Sequence, residues 1–228
     1  MNIHALAVSS SILALVLGSR AEAQSEVFFR HVAGDVLTAK ATPDGTRVVF
    51  VADLQFDQVF ELFSVPTDGS AAPVQLNPAL VAHGDVSDTF EFSPDGQYVA
   101  YSADGEADTV NELYCVPVDG SATAVNVAAS LPHEFVISSR FTPDSTRLVF
   151  EIRTLDGRDE LWCAALDGSG AVEVSGAMNP GGNPLDRYLV SPDSTRVIYV
   201  ADAVTDGVPE LFSGLLDGSA VVKLSPTP

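Results

Sequence analysis

Residues 42–76 read TPDGTRVVFVADLQFDQVFELFSVPTDGSAAPVQL, and this stretch decides the fold because its plan recurs four times. Thr42-Pro43-Asp44 returns as Ser93-Pro94-Asp95, Thr142-Pro143-Asp144 and Ser191-Pro192-Asp193, at a period of about 50 residues. A short β-branched and aromatic run follows each time: Arg47 to Val51, Gln97 to Tyr101, Arg147 to Ile152, Arg196 to Val200. Then comes Glu-Leu-aromatic, beginning at Glu61, Glu112, Glu160 and Glu210, and next Asp-Gly-Ser, beginning at Asp68, Asp119, Asp167 and Asp217. A brief apolar run such as Val74-Gln75-Leu76 or Val221-Val222-Lys223-Leu224 closes the unit.

Each piece has a local physical role. Proline at the second turn position presets φ, and Gly45 and Gly96 supply positive φ, so Pro-Asp-Gly between strand-like runs is a hairpin. Asp-Gly serves the next hairpin in the same way. Ser145 and Ser194 stand where glycine stood, and a left-handed residue there is expected to carry strain of about 1 kcal/mol. Each unit is thus four short strands, A to D. No long 3.6-residue periodicity occurs after the first residues, so helices are not expected.

The B and C runs are apolar on both faces, as in Val48-Val49-Phe50-Val51, which means both sides of each sheet are covered. Four-stranded sheets that bury both faces against copies of themselves are β-propeller blades, with a flat solenoid as the competing arrangement. The predicted fold is therefore all-β and propeller-type, with units at about 35–80, 81–130, 131–180 and 181–228 inside a 24–228 domain. Three endings stay open: a closed four-bladed ring, an open arc, or a second copy that completes a larger ring as a homodimer. Val27-Phe28-Phe29 is strand-like and could lie against the last blade.

The order Ser/Thr-Pro-Asp-Gly, apolar strand, Glu-Leu-aromatic, Asp-Gly-Ser resembles the propeller repeat of TolB-type (WD40-like) proteins over nearly the whole chain after residue 23. That resemblance implies a propeller and a role among exported binding proteins or propellers attached to serine peptidases. Such propellers usually have six blades, whereas four units stand here.

The apolar run Ala5 to Leu17, ending at Ala21-Glu22-Ala23, reads as a signal peptide spanning residues 1–23, although Met1 to His4 lacks Lys and Arg. The competing reading is an N-terminal anchor helix. The expected location is periplasmic or secreted, with no membrane insertion after cleavage. The chain has 11 Lys and Arg against 31 Asp and Glu, a formal net charge of −20. Such a surface repels nucleic acid and anionic lipid, so the expected partner is a neutral or cationic protein or small ligand.

Sorting the acids by propeller topology makes the two faces unequal. The hairpin face carries the turn aspartates, whose bonding is local. The other face receives Asp53, Asp57, Asp104, Glu106, Asp108, Asp156, Asp159, Asp202 and Asp206 from the B-to-C loops, with Asp35, Asp85, Asp88, Glu134 and Asp186 from the D-to-A segments. The candidate binding residues are Asp104, Glu106, Asp108, Asp156, Asp159, Asp202 and Asp206, with calcium among the possible occupants. His31, His83 and His133 precede strand A in three units and, with Asp35 and Asp85, form a candidate divalent-metal set, although the spacing matches no metal motif.

No G-x-S-x-G elbow, H-E-x-x-H, phosphate loop or dinucleotide fingerprint occurs. The leading functional expectation is an exported, non-catalytic binding module that uses its acidic loop face. The alternatives are a metal-dependent hydrolase or lyase at the channel mouth, around His83, Asp85, His133 and Arg187, and a fragment of a larger propeller. Cys115 and Cys163, each three residues after the unit's glutamate, occupy equivalent places in consecutive blades. Their Cβ vectors do not converge, so two free, buried thiols are expected.

Overall fold

The computed structural model describes residues 34–106, 110–177, 184–204 and 207–226, with the backbone alone for 133, 134 and 184–187. The first blade is β1 (Val36–Ala41), β2 (Arg47–Ala52), β3 (Glu61–Pro66) and β4 (Val74–Gln75). The second is β5 (Val86–Phe92), β6 (Tyr98–Ala103), β7 (Glu112–Pro117) and β8 (Val125–Asn126). The third is β9 (His133–Phe141), β10 (Arg147–Thr154), β11 (Asp159–Ala165) and β12 (Val172–Glu173). The fourth is β13 (Pro184–Val190), β14 (Arg196–Ala201), β15 (Glu210–Leu215) and β16 (Val221–Lys223). Each blade is a separate four-stranded antiparallel sheet with its strands in chain order, and no helix occurs among the described residues. The signal peptide and cleavage site expected from the sequence lie outside the described residues.

The Ser/Thr-Pro-Asp turns work as their chemistry demands. Thr42 Oγ1 donates to Asp44 Oδ1 at 2.6 Å and accepts the N–H of Arg47 at 3.1 Å. The same arrangement recurs at Ser93, Thr142 and Ser191. The hydroxyls of Thr42 and Ser191 are the main reason that the Asp44 and Asp193 carboxyls sit below the usual aspartate value. Ser145 and Ser194 keep the left-handed backbone of the glycines they replace, with φ of 61° and 56°. Each hydroxyl offsets that cost with a hydrogen bond across the gap to the preceding blade. Asp95 N–H donates to Ser145 Oγ, and Asp144 N–H to Ser194 Oγ, both at 3.0 Å.

Three apolar clusters hold the blades together, one at each junction. Val49, Val51, Leu62 and Leu76 on the forward face of the first blade pack on Val99, Tyr101, Tyr114 and Val116 on the rear face of the second. Ala100, Leu113, Cys115 and Val127 meet Leu148, Phe150 and Ile152 at the next junction. Val149, Leu161, Cys163 and Val174 meet Val197, Tyr199 and Phe212 at the last. No such cluster joins the fourth blade to the first among the described residues, and the sheets form an open arc rather than a closed ring.

Arginines bridge two of the junctions. Arg47 Nε donates to Ser64 Oγ in its own blade and to the Val118 carbonyl of the next, at 2.8 and 3.1 Å. Arg147 reaches the Leu216 and Ser194 carbonyls of the fourth blade, at 3.3 and 3.0 Å. Cys115 and Cys163 are both free and buried. Burial pushes their thiols up to about 12 and about 11.

Candidate binding rim

Three C strands begin with glutamate, at Glu61, Glu112 and Glu210, and in the third blade Glu160 follows Asp159 at the strand's start, while the D strands carry Gln75, Asn126, Glu173 and Lys223 at one repeat position. Glu61, Glu112 and Glu210 are buried, at 6 %, 4 % and 5 % exposure. Burying a carboxylate is costly unless hydrogen bonds or a counter-charge compensate it, and the four blades solve this differently. In the first, Gln55 donates to Gln75 and Gln75 to Glu61, each at 2.7 Å. One Glu61 oxygen has no partner among the described residues, and burial raises its carboxyl above the usual glutamate value. In the second, Glu112 accepts the N–H groups of Gly105 and Glu106 at 2.6 and 3.1 Å, and Asn126 holds Glu106 at 3.1 Å. In the fourth, Lys223 forms an ion pair with Glu210.

The third blade differs because its D-strand residue is itself an acid. Glu173 stands beside Glu160, and its carboxyl is raised first by burial and then by the Glu160 charge. The nearby guanidinium of Arg158 is committed to Asp156 at 2.9 Å and approaches Glu160 only to 3.8 Å. Glu160 accepts from Trp162 Nε1 at 3.0 Å. Beside this group opens a cleft of about 350 Å³, walled by Pro132, Ile152, Leu155, Arg158 and Trp162, with Leu155 at 67 % exposure. Asp156 and Glu160 line the cleft as well, so an apolar wall and carboxylates share one rim, with Glu173, which accepts from Ser175 Oγ at 3.3 Å, beside Glu160.

The acids expected on this face differ in burial and bonding. Asp53, Asp202 and Asp159 are buried and occupied: Asp53 accepts the backbone N–H of Asp35 and of Gln58, Asp202 accepts that of Gly207 at 3.0 Å, and Asp159 pairs with Arg153. Asp85 accepts the N–H of Phe60 at 2.8 Å across the first junction, which stitches two blades. Glu106 and Asp156 are exposed, Asp104 is half-buried, and Asp108 and Asp206 lie outside the described residues.

The histidine set is only partly within view. His31 lies outside the described residues, as does the side chain of His133, whose backbone opens β9. His83 is exposed and takes a left-handed backbone with φ of 68°. Asp35 is exposed at the start of the first blade. Among the described residues no three His, Cys, Asp or Glu side chains are grouped as metal ligands.

Sequence reasoning passed over the glutamates of Glu-Leu-aromatic as a repeat mark and overlooked their D-strand neighbours. The usable signal was variation: the same position reads Gln, Asn, Glu and Lys, and one of the four repeats the charge of its neighbour.

No family model matches the chain, and no curated protein matches it. Among solved structures it is similar to a puromycin-hydrolysing peptidase of Mycobacterium tuberculosis, at 21 % identity and a TM-score of 0.56 over 83 % of this chain and 30 % of that one. It is also similar to a structure from a study of two prolyl endopeptidases, at 15 % identity and 0.55 over 86 % and 30 %. A structure described as TolB from Agrobacterium tumefaciens aligns at 20 % identity and 0.49 over 82 % and 64 %. The chain spans less than two thirds of each of these proteins. The peptidase alignments agree with the four sheets in showing a propeller-type fold.

Proposed function

We propose that this chain is an exported, non-catalytic binding module, and that its third blade takes a basic side chain flanked by an apolar one from a polypeptide partner. The observation that carries this reading is the contrast between equivalent positions in two blades. Lys223 neutralises Glu210 in the fourth blade, whereas in the third the same place holds Glu173 beside Glu160. A ligand ammonium or guanidinium beside that pair would do what Lys223 does internally, and it would relieve a like-charge contact already present in the free protein. Trp162 and Leu155 supply the apolar contact, in keeping with pockets that combine an apolar wall with a few polar groups. The excess of acid over base speeds encounter with such a partner and makes binding sensitive to salt.

The test is calorimetric titration of the full chain with a short peptide containing Leu-Lys or Leu-Arg, against the same peptide with citrulline or acetyl-lysine. Binding to the basic peptide alone supports the reading, with affinity falling about tenfold in Glu173→Gln and falling again as salt rises. Acidification should weaken binding at a higher pH than for ordinary surface carboxylates, because the raised Glu173 carboxyl takes up its proton sooner. Equal affinity for charged and neutral peptides, or no binding, would dismiss it.

A further inference from the structure

The two ends of the arc carry the two halves of a junction that the chain builds three times within itself. On the forward face, Leu62, Leu113 and Leu161 are equivalent and are 0 %, 1 % and 0 % exposed, while Leu211 in the same place on the fourth blade is 38 % exposed. Leu76, Val127 and Val174 are likewise buried, whereas Leu224 is 51 % exposed. Ile198 and Val200, equivalent to the wholly buried Val49 and Val51, are only half-buried. At the opposite end, Val48 and Phe50 on the rear face of the first blade are half-buried, although their counterparts Val99, Tyr101, Leu148, Phe150, Val197 and Tyr199 are fully enclosed.

We infer that the forward face of the fourth blade docks on the rear face of the first blade of a second copy of this chain. Two copies of four blades joined at both ends give an eight-bladed ring with a two-fold axis along its channel, within the usual range of propeller sizes. The internal junctions already pair these same repeat positions, which makes a second copy the complementary occupant of each end.

The polar contacts of the internal junctions also have counterparts at the ends. Arg196 keeps the bond within its own blade, to Ser213 Oγ at 3.2 Å, that Arg47 makes to Ser64. The acceptor corresponding to the Val118 and Leu216 carbonyls is that of Thr67 in the first blade, since all three residues donate to the carbonyl before the B strand. Arg196 of one copy is therefore placed to donate to the Thr67 carbonyl of the other. Val36 N–H would meet the Pro209 carbonyl, as Val86 meets Phe60 at 2.8 Å and Val136 meets Asn111 at 2.9 Å. One bond cannot be repeated: Pro209 has no N–H to give Asp35 in the way Phe60 gives to Asp85.

Light scattering coupled to size exclusion tests this on the full chain, with Leu211→Asp altering the forward end and Phe50→Asp the rear end. The parent is expected at twice the chain mass, and each variant, its fold checked by circular dichroism, as a monomer. An equimolar mixture of the two variants should recover dimers, because one unaltered junction can still form between them, and like-to-like pairing of ends would not give this result. Arg196→Ala should weaken association about tenfold. A monomeric parent at about 100 μM, about a hundred-fold above a micromolar dissociation constant, overturns the proposal, including a monomer whose fourth blade is covered by the chain's own first residues. So does a dimer that survives both substitutions, or a particle larger than two chains.

Discussion

The hydroxyl of Ser194 accepts the backbone N–H of Asp144 at 3.0 Å, so that the turn of the fourth blade is tied to the turn of the third. Ser145 makes the same tie to Asp95 one junction earlier. Both serines hold a left-handed backbone, which costs an L-residue about 1 kcal/mol, and both gain a hydrogen bond worth about the same. Ser145→Gly and Ser194→Gly should therefore be close to neutral. Ser145→Ala and Ser194→Ala keep the strain and lose the bond, and should each destabilise by about 1 kcal/mol. Urea titration of the four variants distinguishes the pairs.

Tyr101 and Tyr199 are the same repeat residue with opposite polar circumstances. Each is buried and stacked, Tyr101 on Tyr114 at 5.6 Å and Tyr199 on Phe212 at 5.5 Å between ring centres. The Tyr199 hydroxyl donates to the Ser175 carbonyl, whereas that of Tyr101 is enclosed with no partner among the described residues. Tyr101→Phe should be neutral or stabilising, and Tyr199→Phe should cost about 1 kcal/mol. Thermal melts are expected to fall for Tyr199→Phe and not for Tyr101→Phe, and equal losses would count against the difference in bonding.

Glu61 is expected to make stability depend on pH. Its folded carboxyl is raised by burial, so its favourable contribution is complete below the ordinary glutamate value of 4.5 and is lost as pH rises through the raised value. Glu61→Gln should then be more stable than the parent near neutrality, and the difference should close as the pH falls below 4.5. Asp44 and Asp193 run the other way: their lowered carboxyls contribute above the ordinary value of 3.8, and that contribution disappears as pH falls through the depressed values. Chemical denaturation of parent and variant between acid and neutral pH reads both effects.

Cys115 and Cys163 should resist a thiol reagent in the native protein at neutral pH, being buried and raised to about 12 and about 11. Both should react once the unreduced chain is unfolded. Fast labelling of the folded protein would mean that the second and third junctions open readily.

The strands, hairpins and blade order were legible because each is written locally, in Pro-Asp-Gly, in Asp-Gly-Ser and in runs apolar on both faces. Left-handed Ser145 and Ser194 were legible for the same reason, since alignment with Gly45 and Gly96 names the backbone they must adopt. The rim was not. Whether an aspartate faces solvent or caps a backbone depends on the loop around it, and spacing alone did not distinguish the enclosed Asp53 and Asp202 from the exposed Asp156. Glu173 escaped notice because its meaning comes from Glu160 on the neighbouring strand, a relation between positions 13 residues apart that no contiguous motif contains.

Three separate cores in series make this molecule a one-dimensional array, with an energy approximated by a sum of blade and junction contributions. The middle blades are held on both sides and the outer ones on a single side, so loss of structure should start at the ends and travel inward. Amide exchange would then be graded along the chain, slowest in β6, β7, β10 and β11, instead of being governed by one global opening. Cooperativity in such an array is a property of its boundaries: an isolated arc frays, whereas anything that caps both ends makes every blade an interior one and turns gradual melting into a single transition.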